Sequence, residues 1–359
     1  MSAPIRLAFI LPHLRPGGAE RVVLNYLRAL DRGRFEPFLF LARREGAFLE
    51  LVPEDVTVVD LGGARARRLP GRIARALEAH RIDAAYSATD AANLALLASR
   101  WFGARGTLRM ASVHTTPSSW LAEAKHPRLR RWLMRRLYPS AALVAVPAEA
   151  IAVELKQLGV ASTVLPNPVV DAAVTAPRCE NGPLRIVAAG RLVEAKGFDL
   201  LIDAAAELAG DFRLDIYGDG ALRETLSRQV AERGLGQRVA LRGYAEANII
   251  FQGADLCVIP SRREGFGNVV VEAMAAGVPV LAAACPGPAA LIDDGQSGFL
   301  VEPGSSSALA GAMAVLLADP ERRASVVEAG RRTAAQFEVH AATRRFEEAV
   351  QRLLGKECR

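Results

Sequence analysis

Residues 261–280 read SRREGFGNVVVEAMAAGVPV, a glycine-rich turn followed by a short apolar segment. The preceding residues 255–260, DLCVIP, are typical of a buried strand, and residues 269–276 have the small, apolar composition of a buried helix. Glu264 is therefore predicted to lie on the turn, and Glu272 about one helical turn into the helix. A strand, a glycine turn and a helix in this order indicate an α/β fold.

This turn has the features of a site for a phosphate and a sugar. Backbone N–H groups of Gly267, Asn268 and Val269 would point out of the positive end of the helix, where a phosphate binds without a side-chain cation. A carboxylate beside such an end can accept hydrogen bonds from both hydroxyls of a ribose or hexose. The alternative is a buried turn whose glycines only allow close packing. The motif alone leaves both interpretations open.

The same order of elements recurs along the chain. A strand, a glycine-containing loop and a helix are predicted within residues 5–30, 184–208 and 213–233. Strands that alternate with helices form parallel, doubly wound sheets, whose ligands lie outside the carboxyl ends of the strands. None of the loops matches the G-x-G-x-x-G fingerprint or the P-loop, which disfavours nicotinamide binding and ATP hydrolysis.

The length of 359 residues, with 51% hydrophobic content, is enough for two such domains, each with its own core. The prolines of residues 165–171, LPNPVVD, mark a hinge before the second half begins. We therefore predict two Rossmann-like domains, over 1–168 and 169–340, that face each other across a cleft. Residues 341–359 are predicted as a C-terminal helix that can cross back to the first domain.

Cysteine usage and the N-terminus indicate a cytoplasmic protein. The four cysteines are widely scattered without a C-x-x-C pair, which argues against a disulfide framework or a zinc site: Cys179, Cys257, Cys285 and Cys358. Residues 1–12 lack the cationic start of a signal peptide. Residues 273–292 carry no charge and have the length of a membrane span, but glycines and prolines interrupt them, so a buried helix, turn and strand are expected instead.

Positive charge is concentrated in the first half of the chain. Residues 1–172 hold 24 Lys and Arg against 15 Asp and Glu, whereas residues 173–359 hold 21 against 24. The densest segment is 125–137, where an apolar stripe and a basic stripe are predicted on one helix. The apolar stripe comprises Leu129, Trp132, Leu133 and Leu137, and the basic stripe Arg128, Arg131 and Arg135. Such a helix suits an anionic membrane surface, and an ordinary surface helix packed on its domain is the alternative. No nucleic-acid-binding module accompanies the charge.

Five motifs resemble one enzyme family in their order and spacing. They are Gly17-Gly18-Ala19-Glu20, Gly190-Arg191-Leu192 with Lys196-Gly197, Tyr217-Gly218-Asp219-Gly220, Leu241-Arg242-Gly243-Tyr244, and Glu264-Gly265-Phe266-Gly267 with Glu272-Ala273 and Gly277-Val278-Pro279-Val280. Over nearly the whole chain this pattern is similar to the family-4 retaining glycosyltransferases of GT-B fold. The resemblance implies an acceptor-binding first domain and a second domain that binds a nucleotide-sugar donor.

The resemblance also implies a role for particular residues. Arg191 and Lys196 would bind the diphosphate, Glu264 the donor sugar, and Glu272 the ribose. His114 of the first domain would lie beside the sugar. The remaining donor-binding residues would be Gly17, Gly18, Gly190, Gly243, Tyr244, Gly265, Phe266, Gly267, Asn268 and Val269, of which Gly17 and Gly18 approach the phosphates from the opposite domain and Gly243-Tyr244 lies beside the base.

The chemistry of these roles is consistent with the residue types. Breaking a sugar–diphosphate bond leaves growing negative charge on the phosphate, which Arg191, Lys196 and the helix end near Gly267 would stabilise. No Asp-x-Asp stands at a strand end, so neither a metal ion nor a cofactor is expected. A solvated Arg191 is the alternative for that residue, and a strand-end core histidine is the alternative for His114. His13 is a reserve candidate because it lies near a predicted cleft loop.

Three classes of function follow from this pattern. The first is a retaining glycosyltransferase that moves a hexose or N-acetylhexosamine, with UDP as the expected nucleotide, to a glycan or polyprenyl-diphosphate-linked acceptor in bacterial surface polysaccharide synthesis. It would work in the cytoplasm, with peripheral contact at the inner face of the plasma membrane. The second is an NDP-sugar epimerase of the same fold, and the third a binding protein without catalysis. A paired-carboxylate hydrolase is disfavoured, because a phosphate site has no purpose in cleaving an uncharged glycoside.

Overall fold

The computed structural model describes residues 3–63, 67–122, 124, 126–171 and 182–355. The chain divides into two compact units, one formed by Met1–Val169 with Val339–Arg359 and the other by Val170–Glu338. Each unit is built on one sheet in which every strand pair is parallel. The prediction of two parallel α/β domains is confirmed.

The first unit contains a seven-stranded sheet. Its strands are β1 Ile5–Leu11, β2 Phe35–Leu41, β3 Thr57–Asp60, β4 Ala84–Ser87, β5 Leu108–Ser112, β6 Leu143–Val146 and β7 Thr163–Val164. The helices are α1 Gly18–Ala29, α2 Leu69–Ala79, α3 Asp90–Ala98, α4 Pro117–Ala122, α5 Pro127–Leu137 and α6 Glu149–Gln157. The strand order is β3-β2-β1-β4-β5-β6-β7, so the direction of the connections reverses between β1 and β4.

The second unit contains a six-stranded sheet of order β10-β9-β8-β11-β12-β13. Its strands are β8 Leu184–Ala189, β9 Phe212–Tyr217, β10 Val239–Gly243, β11 Leu256–Ile259, β12 Val280–Ala283 and β13 Phe299–Val301. Its helices are α7 Phe198–Glu207, α8 Arg223–Glu232, α9 Ala247–Phe251, α10 Asn268–Ala275, α11 Pro286–Leu291, α12 Ser306–Ala318, α13 Pro320–Ser325 and α14 Val327–Ala334. Here the connections reverse between β8 and β11, and ligands of doubly wound sheets bind at such a point.

The long last helix, α15 Val339–Leu353, packs on the first unit. Phe346 lies against Tyr26 with a ring-centroid separation of 4.5 Å, and it also contacts Phe9 and Tyr86. The buried carboxylate of Glu347 accepts a hydrogen bond from the N–H of Asp31 at 2.7 Å. Aromatic packing and this buried bond therefore tie the end of the described chain to its beginning.

The central strands are apolar along their whole length because helices cover both sides of each sheet. On one side of the first sheet, Leu7 and Phe9 face α1 and α15; on the other, Ala8 and Ile10 face α2 and α3. The uncharged run 273–292 forms the end of α10, a turn and β12, as predicted, and then α11, which was not predicted. None of the described helices combines the length and apolar character needed to cross a bilayer.

Candidate donor site

The turn between β11 and α10 is the centre of the candidate site. Gly267 precedes α10 with a φ of +98°, and the helix then begins at Asn268, so its first turn directs N–H groups toward the carboxyl edge of the sheet. Phe266 is buried and meets Phe337 edge to face at 5.2 Å. Gly287 of α11 approaches the backbone of Phe266 so closely that an added Cβ would lie 2.5 Å from its carbonyl oxygen. The turn is therefore held in place by tight packing of Phe266 against Phe337 and Gly287.

Two predicted site residues from distant parts of the sequence meet at this turn. The ammonium group of Lys196 donates a hydrogen bond to Oε2 of Glu264, and both side chains are mostly buried. Lys196 follows β8 and Glu264 follows β11, the two neighbouring strands at which the chain connections reverse. The structure thus places a cation and a carboxylate side by side where doubly wound sheets bind ligands.

The two loops that carry this ion pair are joined through their backbones. The N–H groups of Arg262 and Arg263 both donate to the carbonyl oxygen of Ala195, at 2.9 and 3.1 Å. Gly197 has a φ of +66° and lies so close to Pro260 that an added Cβ would be 2.2 Å from the Pro260 carbonyl oxygen. Only glycine fits this position without displacing one of the loops.

Arg262 adds a side-chain brace to the same two loops. Its guanidinium binds the carboxylate of Asp199 in a bidentate manner, with both N–O distances 2.6 Å, and also donates to the carbonyl oxygen of Glu194 at 3.2 Å. The hydrogen bonds from Arg262 hold the pKa of Asp199 below its usual value, and Asp199 raises the pKa of Arg262. No sequence pattern predicted a role for either residue. The charge of Arg262 beside Glu264 was visible, but its partner lies 63 positions away.

Three other glycine motifs converge at the same edge of the second sheet. The N–H of Gly190 donates to the carbonyl oxygen of Tyr217, and the N–H of Gly218 donates to that of Gly243. An added Cβ at Gly218 would lie 1.9 Å from the carbonyl oxygen of Gly190. Close approach of the ends of β8, β9 and β10 thus explains why glycines occur at these points. The side chain of Arg191, directly after Gly190, is exposed.

Glu272 and Tyr244 occupy different surroundings. Glu272 is half-buried in α10; burial, with a smaller contribution from Glu272, raises the pKa of the Cys257 thiol. Tyr244 follows β10 and is largely exposed, and its hydroxyl donates to Glu246 at 2.8 Å. Buried Cys285 donates through Sγ to the carbonyl oxygen of Ser261 at 3.0 Å. Cys257 and Cys285 are both free thiols, and the other two cysteines lie outside the described residues.

The predicted residues of the first unit lie at the carboxyl edge of its sheet. His114 follows β5, and its Nε2 is 3.0 Å from Oγ of Ser112. Burial lowers the pKa of His114 to about 4, so the ring is neutral at physiological pH. Asn93 supports Ser112 by donating to its carbonyl oxygen at 2.7 Å. These contacts fit a strand-end histidine and a sugar contact equally, so the catalytic role of His114 stays a prediction.

Gly17 is the N-cap residue of α1, which begins at Gly18 after the loop that follows β1. The carboxylate of Glu20 folds back toward this loop, and an added Cβ at Gly17 would lie 2.3 Å from its Oε2. Nδ1 of His13, the reserve candidate, is 3.7 Å from Oε1 of Glu20. The approach of Gly17 and Gly18 to a phosphate also stays a prediction. Within the described ranges no group of three or more His, Cys, Asp or Glu side chains is arranged to hold a metal ion.

The predicted apolar stripe of α5 is wrong for two of its members. Met134 and Leu137 are buried against the first unit, and Leu133 is half-buried, whereas Leu129 and Trp132 are 54% and 59% exposed. Trp132 is five residues from Leu137 and therefore about 140° away around the helix. Because Met134 and Leu137 face the core, Trp132 points outward among the basic side chains. Lys125, the first residue of the predicted segment, lies outside the described residues.

Sequence comparisons assign this architecture to a known family. A profile described as "Glycosyltransferase Family 4" matches residues 16–172, and one described as "Glycosyl transferases group 1" matches residues 176–333. The 2-deoxystreptamine glucosyltransferase of Streptomyces kanamyceticus is 31% identical over 264 residues, which are 67% of this chain and 68% of that protein. The chain belongs to glycosyltransferase family 4.

Other known proteins resemble parts or all of the chain. The lipopolysaccharide core biosynthesis glycosyltransferase LpsE of Rhizobium meliloti is 35% identical over 149 residues, 41% of this chain and 44% of LpsE. The match therefore spans less than half the length of LpsE. The crystal structure of Anabaena HepE in complex with UDP superposes with a TM-score of 0.79 at 25% identity, over 98% of this chain and 100% of that chain. The GT-B fold predicted from the sequence is confirmed.

Proposed function

We propose that this family-4 protein is a retaining glycosyltransferase. It would move a hexose or N-acetylhexosamine from a UDP-sugar to a glycan or lipid-linked acceptor in bacterial surface polysaccharide synthesis. The observation that carries the proposal is the contact between Lys196 and Glu264 at the point where the connections of the second sheet reverse. Lys196, which would bind the diphosphate, and Glu264, which would bind the sugar hydroxyls, lie beside the N-terminus of α10.

The positive and negative groups of the site would bind different parts of the donor. As the bond between the anomeric carbon and the phosphate oxygen breaks, negative charge grows on the departing diphosphate. Lys196, Arg191 and the first turn of α10 would stabilise that charge, and the proposal requires no metal ion or cofactor. In the free protein Glu264 neutralises Lys196. A bound diphosphate would compete for Lys196 and leave Glu264 able to accept hydrogen bonds from the sugar.

The remaining assignments follow the family resemblance. Glu272, farther along α10, would accept from the ribose hydroxyls, and Tyr244 beside Gly243 would lie near the base. For retention, the acceptor oxygen attacks the anomeric carbon on the face that the phosphate leaves, and the acceptor proton passes to a phosphate oxygen. His114 is neutral and would contribute hydrogen bonds to the sugar rather than charge.

The relatives are more informative about the donor nucleotide than about the acceptor. HepE has been crystallised with UDP and with UDP-glucose, which favours UDP as the nucleotide. LpsE acts in lipopolysaccharide core synthesis, whereas the Streptomyces relative is a 2-deoxystreptamine glucosyltransferase. The basic first half of the chain favours an acceptor that carries phosphate, and so the lipid-linked class.

We also propose that α5 brings the enzyme to the inner face of the plasma membrane. Its outward face carries Trp132 within a set of exposed arginines, which are Arg128, Arg131, Arg135 and Arg136. A tryptophan surrounded by cations is suited to the headgroup region of an anionic bilayer. Peripheral contact would give access to a lipid-linked acceptor while the protein remains cytoplasmic.

The test is nucleotide release from a panel of nucleotide sugars, with and without a polyprenyl-diphosphate acceptor. Lys196→Ala is the active-site variant, and Lys156→Ala, at an exposed position of α6, is the matched control. We expect acceptor-dependent UDP release by the wild type and the control, and loss of at least about tenfold in kcat for Lys196→Ala. If no nucleotide is released from any donor, the proposal of an enzyme is refuted. An epimerised donor without sugar transfer would support the epimerase alternative.

A further inference from the structure

Two adjacent aromatic side chains stand exposed at the end of α3. Trp101 and Phe102 are 67% and 58% exposed, on and directly after the 3₁₀ turn Ser99–Trp101. Aromatic residues of this size usually contribute their area to a core or to an interface. An exposed pair therefore marks a surface that contacts something else.

The segment that presents this pair is braced from beneath. The buried guanidinium of Arg109 donates to Oγ of Ser99 and to the carbonyl oxygens of Gly103 and Ala104, each at 3.0 Å. The carboxylate of Glu78 accepts a hydrogen bond from the N–H of Ala104. The hydrogen bonds from Arg109 and to Glu78 fix the backbone of residues 99–104. The two aromatic rings are therefore exposed on an ordered segment.

The surroundings of the pair are basic. Arg100 and Arg105 flank it in sequence and are exposed. Exposed Arg75 of α2 donates to the carbonyl oxygen of Gly71 at 3.4 Å, and Gly71 in turn lies beside the ring of Phe102. In contact with an anionic bilayer, the apolar rings would enter the acyl boundary and the guanidinium groups would bind the anionic headgroups.

The pair also lies on the same side of the sheet as α5. Ala92, Ala95 and Leu96 of α3 pack with Ala8 and Ile10 on that side. Leu97 of the same helix packs with Met134 and Leu137 of α5. The helix that ends at the aromatic pair is therefore the neighbour of the helix that presents Trp132.

We propose that Trp101 and Phe102 form a second membrane anchor, which enters the interfacial region of an anionic bilayer beside α5. The inference rests on the proposed membrane contact of α5 and extends it from one helix to a face with two insertion points. A second copy of the chain is a poorer occupant. A two-fold interface would place this arginine-rich surface against itself, and like charges repel.

The three tryptophans of the chain make the anchor directly observable. They are Trp101, Trp120 and Trp132. A Trp120→Phe/Trp132→Phe variant leaves Trp101 as the fluorophore, and a Trp101→Phe/Trp120→Phe variant leaves Trp132. Each is mixed with phosphatidylglycerol vesicles whose acyl chains are brominated. We expect quenching and a blue shift of Trp101 emission, as for Trp132, and neither with phosphatidylcholine vesicles.

A binding measurement complements the fluorescence. Trp101→Ala/Phe102→Ala should lower partition into phosphatidylglycerol vesicles about tenfold or more, because two rings lose their burial in the interface. Ile249→Ser, which removes an exposed apolar side chain of the second unit, is the matched control and should not change partition. Acceptor-dependent UDP release, measured without vesicles, should be unaltered in both variants.

The outcomes separate this inference from the proposals on which it rests. Quenching of Trp132 but not of Trp101 would overturn the second anchor and leave the α5 contact intact. Absence of quenching for both would overturn the whole membrane face, while donor activity would still test the transferase. A concentration-dependent shift of Trp101 emission without vesicles, together with a dimer in sedimentation, would assign the surface to a second copy and overturn the anchor.

Discussion

Replacing Gly197 by alanine tests whether the close contact between the two donor loops is needed for activity. A Cβ at this position would lie 2.2 Å from the Pro260 carbonyl oxygen, and real Cβ contacts stay above 3.0 Å. The loops must therefore separate by at least about 0.8 Å. Lys196 directly precedes Gly197, so this separation pulls the ammonium group away from Glu264.

The expected magnitude has two parts. Alanine at a positive φ costs about 1–2 kcal/mol of stability. Stretching the two hydrogen bonds that Ala195 accepts from Arg262 and Arg263 adds about 1–2 kcal/mol. A displacement near 1 Å at a reacting centre lowers the rate by up to roughly a hundredfold. We therefore expect kcat/KM for the UDP-sugar to fall between about tenfold and a hundredfold.

Gly234→Ala is the matched control. Gly234 has a φ of +67°, nearly that of Gly197, but no atom lies within 4 Å of an added Cβ. It should share the stability loss from backbone conformation, measured by denaturant unfolding followed by circular dichroism, and keep kcat/KM within about twofold. Equal kcat/KM for the two variants would show that the contact with Pro260 does not position the site.

Four further outcomes are expected. Arg262→Ala should lower the free energy of unfolding by about 1–2 kcal/mol at neutral pH, with a rise in KM for the donor. Because Arg262 lowers the pKa of Asp199, the stabilisation by the ion pair is complete above the usual aspartate pKa and is lost as the pH falls through the lowered pKa. The difference between wild type and variant should therefore shrink in acid to the contribution of the hydrogen bond to Glu194, and a difference that does not shrink would contradict the ion pair. Glu272→Ala should raise the donor KM at least about tenfold, checked by steady-state kinetics, and an unchanged KM would remove Glu272 from the ribose site. Arg191→Ala should lower kcat more than donor affinity, and intact turnover would refute its phosphate role. Serine substitutions across α5 should weaken binding to anionic vesicles in a salt-dependent manner, and salt-insensitive, unchanged binding would refute the membrane contact; the positions are Arg128, Arg131 and Arg135.

Much of the fold could be predicted from local patterns. Apolar runs with the length of strands, each followed by a glycine loop and a helical segment, indicate parallel α/β domains because both faces of such sheets are covered. The positive φ values at Gly190, Gly197 and Gly267 explain why glycines recur after the strands of the second unit. The family resemblance predicted that Glu264 and Lys196 belong to one site, because no local sequence pattern connects the two residues.

The structure differed from the sequence analysis where the decisive contacts are distant in the chain. The rotation of α5 depends on which side chains meet the core, and periodicity alone did not distinguish Met134 from Trp132 as the buried residue. The brace between Arg262 and Asp199 was missed for the same reason, because a pair 63 positions apart leaves no periodic signal. The exposed pair Trp101 and Phe102 has an apolar character that sequence analysis associates with a core.

Local sequence patterns were sufficient to predict the class of fold, the order of the motifs and the types of charged group available for a donor phosphate. These properties depend on each residue and its near neighbours, through backbone conformation and hydrophobic periodicity. No local pattern indicated that Arg262 braces both loops or that Lys196 contacts Glu264 in the fold. The reason is that the order of strands in the sheet sets β8 beside β11, and side chains far apart in sequence then share one edge.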